Sequence, residues 1–329
     1  MKKNKIIHII LSLGFAGAER HVVDLINFQS KNYETYLIKL KKNSFINYSV
    51  ISRKTKIYTI SNFFKKYFLK NIIQKINPDI IHTHLGGASR IILKKWGNFK
   101  LVATCHMNFK KKYFSNHDGI IVLNKTQEKI LRKEFSNKIL RINLWPSFIK
   151  KIKYSKTYLL NKLNIKKNSY IFGSLGRFHY QKGFDLILKI FDKLQLKNCF
   201  LILVGSNHEE YKKIYKNNNN IKILGYKNNP DDYLRIFNTF IFPSRWESFG
   251  LSLIEAMRNN LPIITSINEG NKDWIKKFNV TRFNIDNDNQ LKNAILKHYL
   301  KKIKKEKYNL NNFQPNIIIK QIDNFYKSI

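Results

Sequence analysis

Two short segments bring cations, carboxylates and glycines together in a pattern that suits a bound anion. In GSLGRFHYQKGFDLIL the apolar run Tyr170–Leu175 ends at Gly176, and Arg177 and Lys182 follow before a helix that begins near Phe184. Arginine offers a planar two-pronged donor and lysine a mobile point charge, while the glycines let the backbone come close, so such a loop can hold a diphosphate. One lysine alone carries no weight in a chain with 61 Lys+Arg; the G-R-x4-K-G spacing at a strand end does. In FPSRWESFGLSLIEAM, Ser248 is placed to cap a helix starting near Phe249, whose leading amides on Phe249, Gly250 and Leu251 make a second anion site. Glu247 and Glu255 flank that start with E-x7-E spacing, notable in a chain with only 21 Asp+Glu. They read as acceptors for hydroxyl pairs, Glu255 toward a ribose diol and Glu247 toward a sugar. They also read as ordinary dipole complementation plus one solvated helix glutamate. A glycosidase acid pair is a third reading, opposed by the phosphate-holding loop nearby.

Weaker candidates lie in the first half. Gly14 and Gly17 in GFAGAER form a tight loop after the first apolar run, but not the G-x-G-x-x-G of a dinucleotide site. His82 and His84 make an H-x-H pair, and His106 ends another apolar run. A zinc site would need a third ligand, which His106 could supply, and an open position, but no Asp, Glu or Cys is suitably placed, so no metal is expected. His106 reads instead as a neutral hydrogen-bond partner for a sugar hydroxyl. Asp286-Asn287-Asp288 spells D-x-D, yet it immediately precedes a helical pattern, where these residues cap and turn.

These residues need elements to place them, and the pattern supplies alternating strands and helices. Strands are expected at Lys5–Leu11, Glu34–Leu40, Asp79–His84, Lys100–His106 and Gly119–Leu123, with helices at Ala18–Gln29, Ser61–Ile76, Ala88–Trp96 and Lys125–Phe135. After Trp145-Pro146 and a basic stretch, Lys150–Lys167, the alternation restarts. Strands then follow at Tyr170–Leu175, Cys199–Val204, Ile221–Leu224, Thr239–Phe242 and Pro262–Thr265. Their helices are Phe184–Leu194, Glu209–Tyr215, Pro230–Phe237, Gly250–Asn259 and Asn289–Lys301. This is α/β with two doubly wound, Rossmann-like domains, 1–148 and 149–329, whose parallel sheets face a cleft. A terminal helix within Tyr308–Ile329 is expected to pack back onto the first domain. Ligands of open parallel sheets sit beyond the carboxyl ends of the strands, where the unusual residues fall.

Composition narrows the class further. Hydrophobic residues at 43% exclude wholesale disorder, and no apolar run is long enough for a membrane helix. A formal charge of +40 favours anionic partners without choosing between phosphates, lipid surfaces and nucleic acid. Ser61–Ile76 interleaves Phe63, Phe64, Tyr67 and Phe68 with Lys65, Lys66 and Lys70, so it either covers a sheet or lies on an anionic membrane. Cys105 and Cys199 stand apart inside apolar runs, as core residues of a reducing, cytoplasmic compartment. The start MKKNKIIHIILSLGFAGA mimics a signal peptide, but His8 and Ser12 interrupt its apolar run, which favours a buried first strand.

Taken together, GRFHYQKGFDLIL, LILVGS, ILGYKNNPDDYL, FPSRWESFGLSLIEAM and LPIITSINEGNKDWI resemble, in order and spacing, the retaining glycosyltransferase family 4 (glycosyl transferases group 1) of GT-B fold. The resemblance implies a nucleotide-diphosphate sugar donor, most often a UDP-sugar, and a saccharide or lipid-linked acceptor in cell-surface polysaccharide or lipopolysaccharide synthesis. No metal or other cofactor is implied. It further implies Gly176, Arg177, Lys182 and Gly205 at the donor diphosphate and Glu255 on the ribose. Glu247 and the Phe249–Leu251 amides fall at the donor sugar and phosphate, Gly14 and Gly17 in the N-terminal glycine loop, and His106 near the sugar. Arg177, Lys182, Glu247 and His106 are thus the expected catalytic group. The chain departs from the family at NLWPSF, where Asn-Gly is usual, and at NEGNKDWI, where Gly270 and Asp273 stand nearest the usual Gly-Gly-x-x-Glu. A nucleotide-sugar epimerase on the same scaffold and a basic nucleic-acid-binding protein are the alternatives. The latter rests on charge alone, and no nucleic acid is expected.

Overall fold

The computed structural model describes residues 3–43, 46, 50–106, 111–136, 138–146 and 152–329, with Lys111 described in its backbone only. It divides into two compact units, Met1–Ser147 with Asn311–Ile329, and Phe148–Leu310. The expected boundary at 148/149 lies outside the described residues.

Unit 1 begins with β1 (Lys5–Ile10), α1 (Gly17–Gln29), β2 (Glu34–Leu40), β3 (Lys56–Ile60), α2 (Lys65–Ile76), β4 (Ile80–His84) and α3 (Leu85–Ser89). It continues with β5 (Lys100–Thr104), β6 (Gly119–Val122), α4 (Lys125–Glu134) and β7 (Lys138–Arg141). Every strand pair is parallel, in the order β3-β2-β1-β4-β5-β6-β7. The central strands are buried along almost their whole length, as expected when helices cover both faces of a parallel sheet. His21, Leu25 and Gln29 recur every four residues along the buried side of α1, so one helical ridge carries two polar side chains inward.

Unit 2 holds α5 (Lys156–Lys162), β8 (Tyr170–Leu175), α6 (Phe184–Leu194), β9 (Cys199–Val204), α7 (Glu209–Ile214), β10 (Ile221–Leu224) and α8 (Pro230–Leu234). β11 (Thr239–Phe242), α9 (Leu251–Arg258), β12 (Ile263–Ser266), β13 (Thr281–Phe283) and α10 (Asp288–Lys301) complete it. Its sheet is also parallel, ordered β10-β9-β8-β11-β12-β13. Both sheets therefore grow outward from their first strand, then reverse, which makes the doubly wound GT-B reading of the sequence correct at the level of each unit. The final helix, α11 (Pro315–Ser328), belongs to unit 1. Pro315 opens it, and its Phe325 ring lies so close over Gly119 that a Cβ there would stand 2.7 Å away.

Several boundaries differ from the sequence reading. The helix expected over Ser61–Ile76 starts at Lys65, because Phe64 takes a left-handed backbone (φ 55°). Ala88–Trp96 is not one helix but α3 and a single 3-10 turn at Lys94–Trp96. Gly17 is the first residue of α1 rather than a loop residue. The basic stretch Lys150–Lys167 contains α5, capped by the Ser155 side chain. Asn287 does cap α10, accepting from the Gln290 amide at 3.0 Å. Cys105 and Cys199 are both buried, and among the described residues neither is in a disulfide. Among the described residues, no helix is long and apolar enough to cross a membrane.

Candidate active site

In unit 2, three loops leave the carboxyl ends of β8, β11 and β12, and side chains tie each to the next. The loop after β8 turns at Gly183, whose φ of +66° and 2.0 Å clearance between a built Cβ and the Pro243 carbonyl admit only glycine. Arg245 clamps Asp185 through two hydrogen bonds of 2.8 and 2.6 Å and stacks its guanidinium 3.7 Å over the Tyr180 ring. Gln181 Nε2 donates to the Trp246 carbonyl at 2.9 Å. From the third loop, Ser266 Oγ (2.6 Å) and Asn268 Nδ2 (3.0 Å) both donate to the Ser244 carbonyl. Asn271 braces the same turn by donating to the Ser266 carbonyl at 2.8 Å. These buried amides and hydroxyls replace the regular ladder that a loop lacks.

Lys182 and Glu247 meet on that platform. Lys182 Nζ donates to Glu247 Oε1, which also accepts from Ser244 Oγ at 2.9 Å. The lysine stem crosses Gly176, 3.6 Å from where a Cβ would stand. Arg177 is exposed and, among the described residues, has no ion-pair partner. Gly205 is fixed by packing, since a Cβ would sit 1.5 Å from the Gly176 carbonyl. Ser248 is not the cap of the following helix. α9 starts at Leu251, and its N-cap is Gly250 with a left-handed backbone, φ 98°. Phe249 is buried and stacks on Trp274 at 5.6 Å, while Gly270 lies under the Glu247 carbonyl and the Phe249 amide. Glu255 is 4% exposed, so it is not a solvated helix residue. Arg177, Lys182, Glu247 and the start of α9 thus share the carboxyl end of one sheet, with Glu255 buried behind them.

In unit 1, Gly14 is exposed and a Cβ there would touch nothing within 4 Å among the described residues, so their packing does not require glycine. Its carbonyl accepts from Asn43 Nδ2 at 2.9 Å, which pins the loop, and Gly17 follows at the helix start. His106, just past β5, is 7% exposed and is joined by buried His84. Behind it lie His8 and His82, paired across β1 and β4 in register. His8, His82 and His84 bring ring nitrogens within 4.8 Å of one another, the spacing of a metal site. Each of their ring nitrogens nevertheless has a hydrogen-bond partner: Gln29, Tyr326, Thr104, His106 or another member of the group. Burial lowers the pKa of His8 and of His106 to about 3, which keeps both neutral.

The sequence matches the glycosyl transferases group 1 family over residues 155–314 and Glycosyltransferase Family 4 over residues 15–145. The chain belongs to the family 4, group 1 glycosyltransferases. It is 25% identical to the capsular polysaccharide biosynthesis glycosyltransferase CapH of Staphylococcus aureus, over 98% of this chain and 99% of that one. It is 26% identical to the UDP-Gal:alpha-D-GlcNAc-diphosphoundecaprenol alpha-1,3-galactosyltransferase of Escherichia coli, over 60% of this chain and 54% of the relative. Among solved structures, HepE of Anabaena in complex with UDP and glucose superposes with a TM-score of 0.82 at 16% identity, covering 99% of this chain and 100% of that chain. A glycosyltransferase of Rickettsia africae superposes at 0.81 with 18% identity, covering 100% and 99%. At those identities the structural likeness speaks for the GT-B fold.

The residues of this glycosyltransferase that sequence reasoning missed are the braces. Arg245 and Asp185 are 60 positions apart, and Ser266, Asn268 and Asn271 look like ordinary loop polars. His8 had a visible signal, since it interrupts an apolar strand, but its partners did not.

Proposed function

We propose that this glycosyltransferase is a retaining, metal-independent hexosyltransferase. It takes a sugar from a UDP-sugar and gives it to a saccharide or lipid-linked acceptor in cell-surface polysaccharide or lipopolysaccharide synthesis. Unit 2 is the donor-binding side and unit 1 the acceptor side. The names of CapH and of the diphosphoundecaprenol galactosyltransferase support the pathway and acceptor class, and the UDP bound to HepE supports the base. The observation that carries the reading is in unit 2: exposed Arg177 on the same loop as Lys182, whose ion-pair partner among the described residues is Glu247, just ahead of the N-terminus of α9 in the chain.

A diphosphate arriving there gives Lys182 a stronger partner and releases Glu247 to bind a sugar hydroxyl. As the sugar–phosphate bond ionises toward an oxocarbenium-like state, charge builds on the leaving diphosphate. Arg177, Lys182 and the amides of Phe249–Leu251 face that charge, each preorganised donor worth about 3–4 kcal/mol in comparable sites. The leaving phosphate takes the proton of the acceptor hydroxyl as it attacks from the same face. Glu255 is assigned to the ribose diol, and His106 of unit 1 to a sugar hydroxyl.

The test is a thermal-shift and turnover series with nucleoside diphosphates and their sugars, with and without chelator. UDP and a UDP-sugar should stabilise the protein equally with chelator present, and at a hundredfold excess over Kd the gain is about 2.7 kcal/mol. Arg177→Ala should lower turnover by about 10²–10³ with the fold intact. Near-normal turnover in that variant, or indifference to every nucleotide, would sink the assignment.

A membrane partner rests on its own observation. Ahead of and within α2, Phe63 (79% exposed), Phe64 (81%) and Tyr67 (64%) stand in water among exposed Lys66 and Lys70. Such a patch suits the headgroup boundary of an anionic bilayer, which supports a peripheral position on the inner face of the cytoplasmic membrane. Phe63→Ser with Phe64→Ser should reduce co-sedimentation with anionic vesicles and leave binding of UDP unchanged; equal sedimentation would refute it.

A further inference from the structure

The chain has four tryptophans, and Trp96, Trp145 and Trp274 are buried. The fourth, Trp246 in the loop after β11, is 41% exposed, and Tyr180 in the loop after β8 is 60% exposed. A lone aromatic ring in water needs no explanation. These two meet, with ring centroids 6.0 Å apart and planes inclined by 55°, so they form the two walls of a corner.

The corner is also held still. The Arg245 amide donates to the Gln181 carbonyl at 2.8 Å, its guanidinium donates to the Tyr180 carbonyl at 2.6 Å while clamping Asp185, and Gln181 Nε2 donates to the Trp246 carbonyl at 2.9 Å. At Tyr180 and Trp246 these bonds end on the backbone, so neither side chain is needed for them. The Arg245 guanidinium covers one face of Tyr180 at 3.7 Å, and a ring that is still 60% exposed must present its other face to water. Among the described residues, neither the Tyr180 hydroxyl nor Trp246 Nε1 makes a hydrogen bond. Tyr180 stands two residues before Lys182 and Trp246 one before Glu247, so the corner borders that ion pair at the carboxyl end of the sheet. Flat apolar faces with polar tips, beside a carboxylate, match a pyranose ring, whose C–H groups rest on an aromatic face while its hydroxyls bond around the edge. A lipid chain has no use for the carboxylate, and a nucleobase brings no row of hydroxyls to it.

We propose that Tyr180 and Trp246 form an aromatic corner that seats a pyranose ring, of the donor or of the acceptor, and takes part in choosing it. This rests on the assignment of Glu247 to a sugar hydroxyl, and it adds the apolar half of that contact. A hydroxyl standing out from the stacked face holds the ring off the aromatics, so the corner selects sugars by which face is free of hydroxyls. Because both walls are braced before the sugar arrives, little side-chain freedom is lost on binding.

Since the other three tryptophans are buried, acrylamide quenching of the full chain's fluorescence reads Trp246, and Trp246→Phe, which removes the quenchable component, is the control. The probes are UDP, then UDP-glucose, UDP-galactose and UDP-N-acetylglucosamine, and UDP together with the methyl glycosides of the same sugars. UDP alone should leave Trp246 open to quencher. Shielding by a UDP-sugar assigns the ring to the donor, and shielding only by UDP with a glycoside assigns it to the acceptor. Trp246→Ala and Tyr180→Ala should each weaken the shielding probe about three- to tenfold and leave the affinity for UDP as it was. Trp246→Phe and Tyr180→Phe, which keep a ring face, should recover most of that loss. If UDP stabilises the protein but no probe shields Trp246, or if the alanine variants hold the shielding probe as tightly as the wild type, the corner is overturned and the donor reading stands. Indifference to UDP and to all three UDP-sugars overturns the donor reading itself, and the corner with it.

Discussion

Both units bury a file of hydrogen-bonded side chains against their sheets, and the two files run to opposite ends of the strands. In unit 2, Tyr170 bonds Thr239 at 2.8 Å, Thr239 bonds His298 at 3.1 Å, and His298 bonds Thr281 at 2.8 Å. Tyr170, Thr239 and Thr281 open β8, β11 and β13, so this file lies at the amino ends, away from where parallel sheets bind ligands. The centre of that sheet is aromatic, with Phe172, Phe240 and Phe242 buried and the Phe237 ring seated on Gly173. Unit 1 fills the corresponding centre with His8 and His82, and its file leaves at the carboxyl end through His84 to His106. The same strand order therefore supports a file at the amino ends in one unit and a file that runs to the carboxyl ends in the other, the ends at which open parallel sheets bind ligands.

The sharpest way to break this contrast is acid. Burial depresses His8 and His106 to about 3 and His117 to about 4, and holds His21, His82 and His84 well below their ordinary value. Below the unfolded value near 6.5, the unfolded chain takes up protons that the folded unit refuses. The stability is thus fully present above pH 6.5 and is lost as pH falls, by up to about 1.4 kcal/mol per pH unit for each histidine. At pH 5.5 unit 1 should be markedly less stable than at pH 7.5, because several buried histidines act in the same direction. In unit 2, His298 is lowered to about 4 and contributes in the same direction. Hydrogen exchange followed by peptide mass spectrometry between pH 7.5 and 5 should show unit 1 opening first; simultaneous opening would contradict the picture.

How much of this was readable in the sequence depends on how local each signal is. The central strands announced themselves as apolar runs because both their faces are covered. β3, β7 and β13 were missed because they are sheet edges, half solvated, and read KIYTI, KILR and TRF. Arg177, Lys182, Glu247 and Glu255 were visible as charges at strand ends. Their braces were not, because a hydrogen bond between Ser266 and Ser244 leaves no spacing rule. His106 and the H-x-H pair were legible as residues but not as a file. That needed the β1–β4 register, which sets His8 opposite His82, and a terminal helix that brings Asp323 and Tyr326 to Gln29.

Glycines sharpen the contrast at the next level of effect. Gly205→Ala drives a methyl into the Gly176 carbonyl at the carboxyl end of unit 2 and should cost about 3 kcal/mol or more. Gly14→Ala in unit 1 meets nothing, so stability should change by less than about 0.5 kcal/mol while turnover falls. Thermal denaturation and turnover of the two variants separate a glycine demanded by packing from one that leaves room for substrate. Loss of stability in Gly14→Ala would remove that distinction. Smaller again is Glu247→Gln, which keeps the shape of the side chain but removes the charge facing Lys182. Turnover should fall about 10–100-fold, the cost of a charged hydrogen bond of about 1.5–3 kcal/mol, with the melting temperature little changed. Unaltered turnover would argue that the pair is only structural.

The smallest effect is the one that touches the head of the unit 1 file without cutting it. His21 is 2% exposed and sits edge-on to His106 at 5.5 Å and against Trp145 at 4.8 Å; among the described residues neither of its ring nitrogens has a hydrogen-bond partner, nor does Trp145 Nε1. An unpaired buried imidazole costs about 1–3 kcal/mol, so such a residue is kept for something other than stability. His21→Phe should therefore stabilise unit 1 by about 1–2 kcal/mol, most clearly below pH 6.5, where one fewer buried histidine resists protonation. Turnover should fall as well, since the ring stands edge-on to His106 at the carboxyl end of β5. A destabilised His21→Phe would mean that the ring is needed for packing.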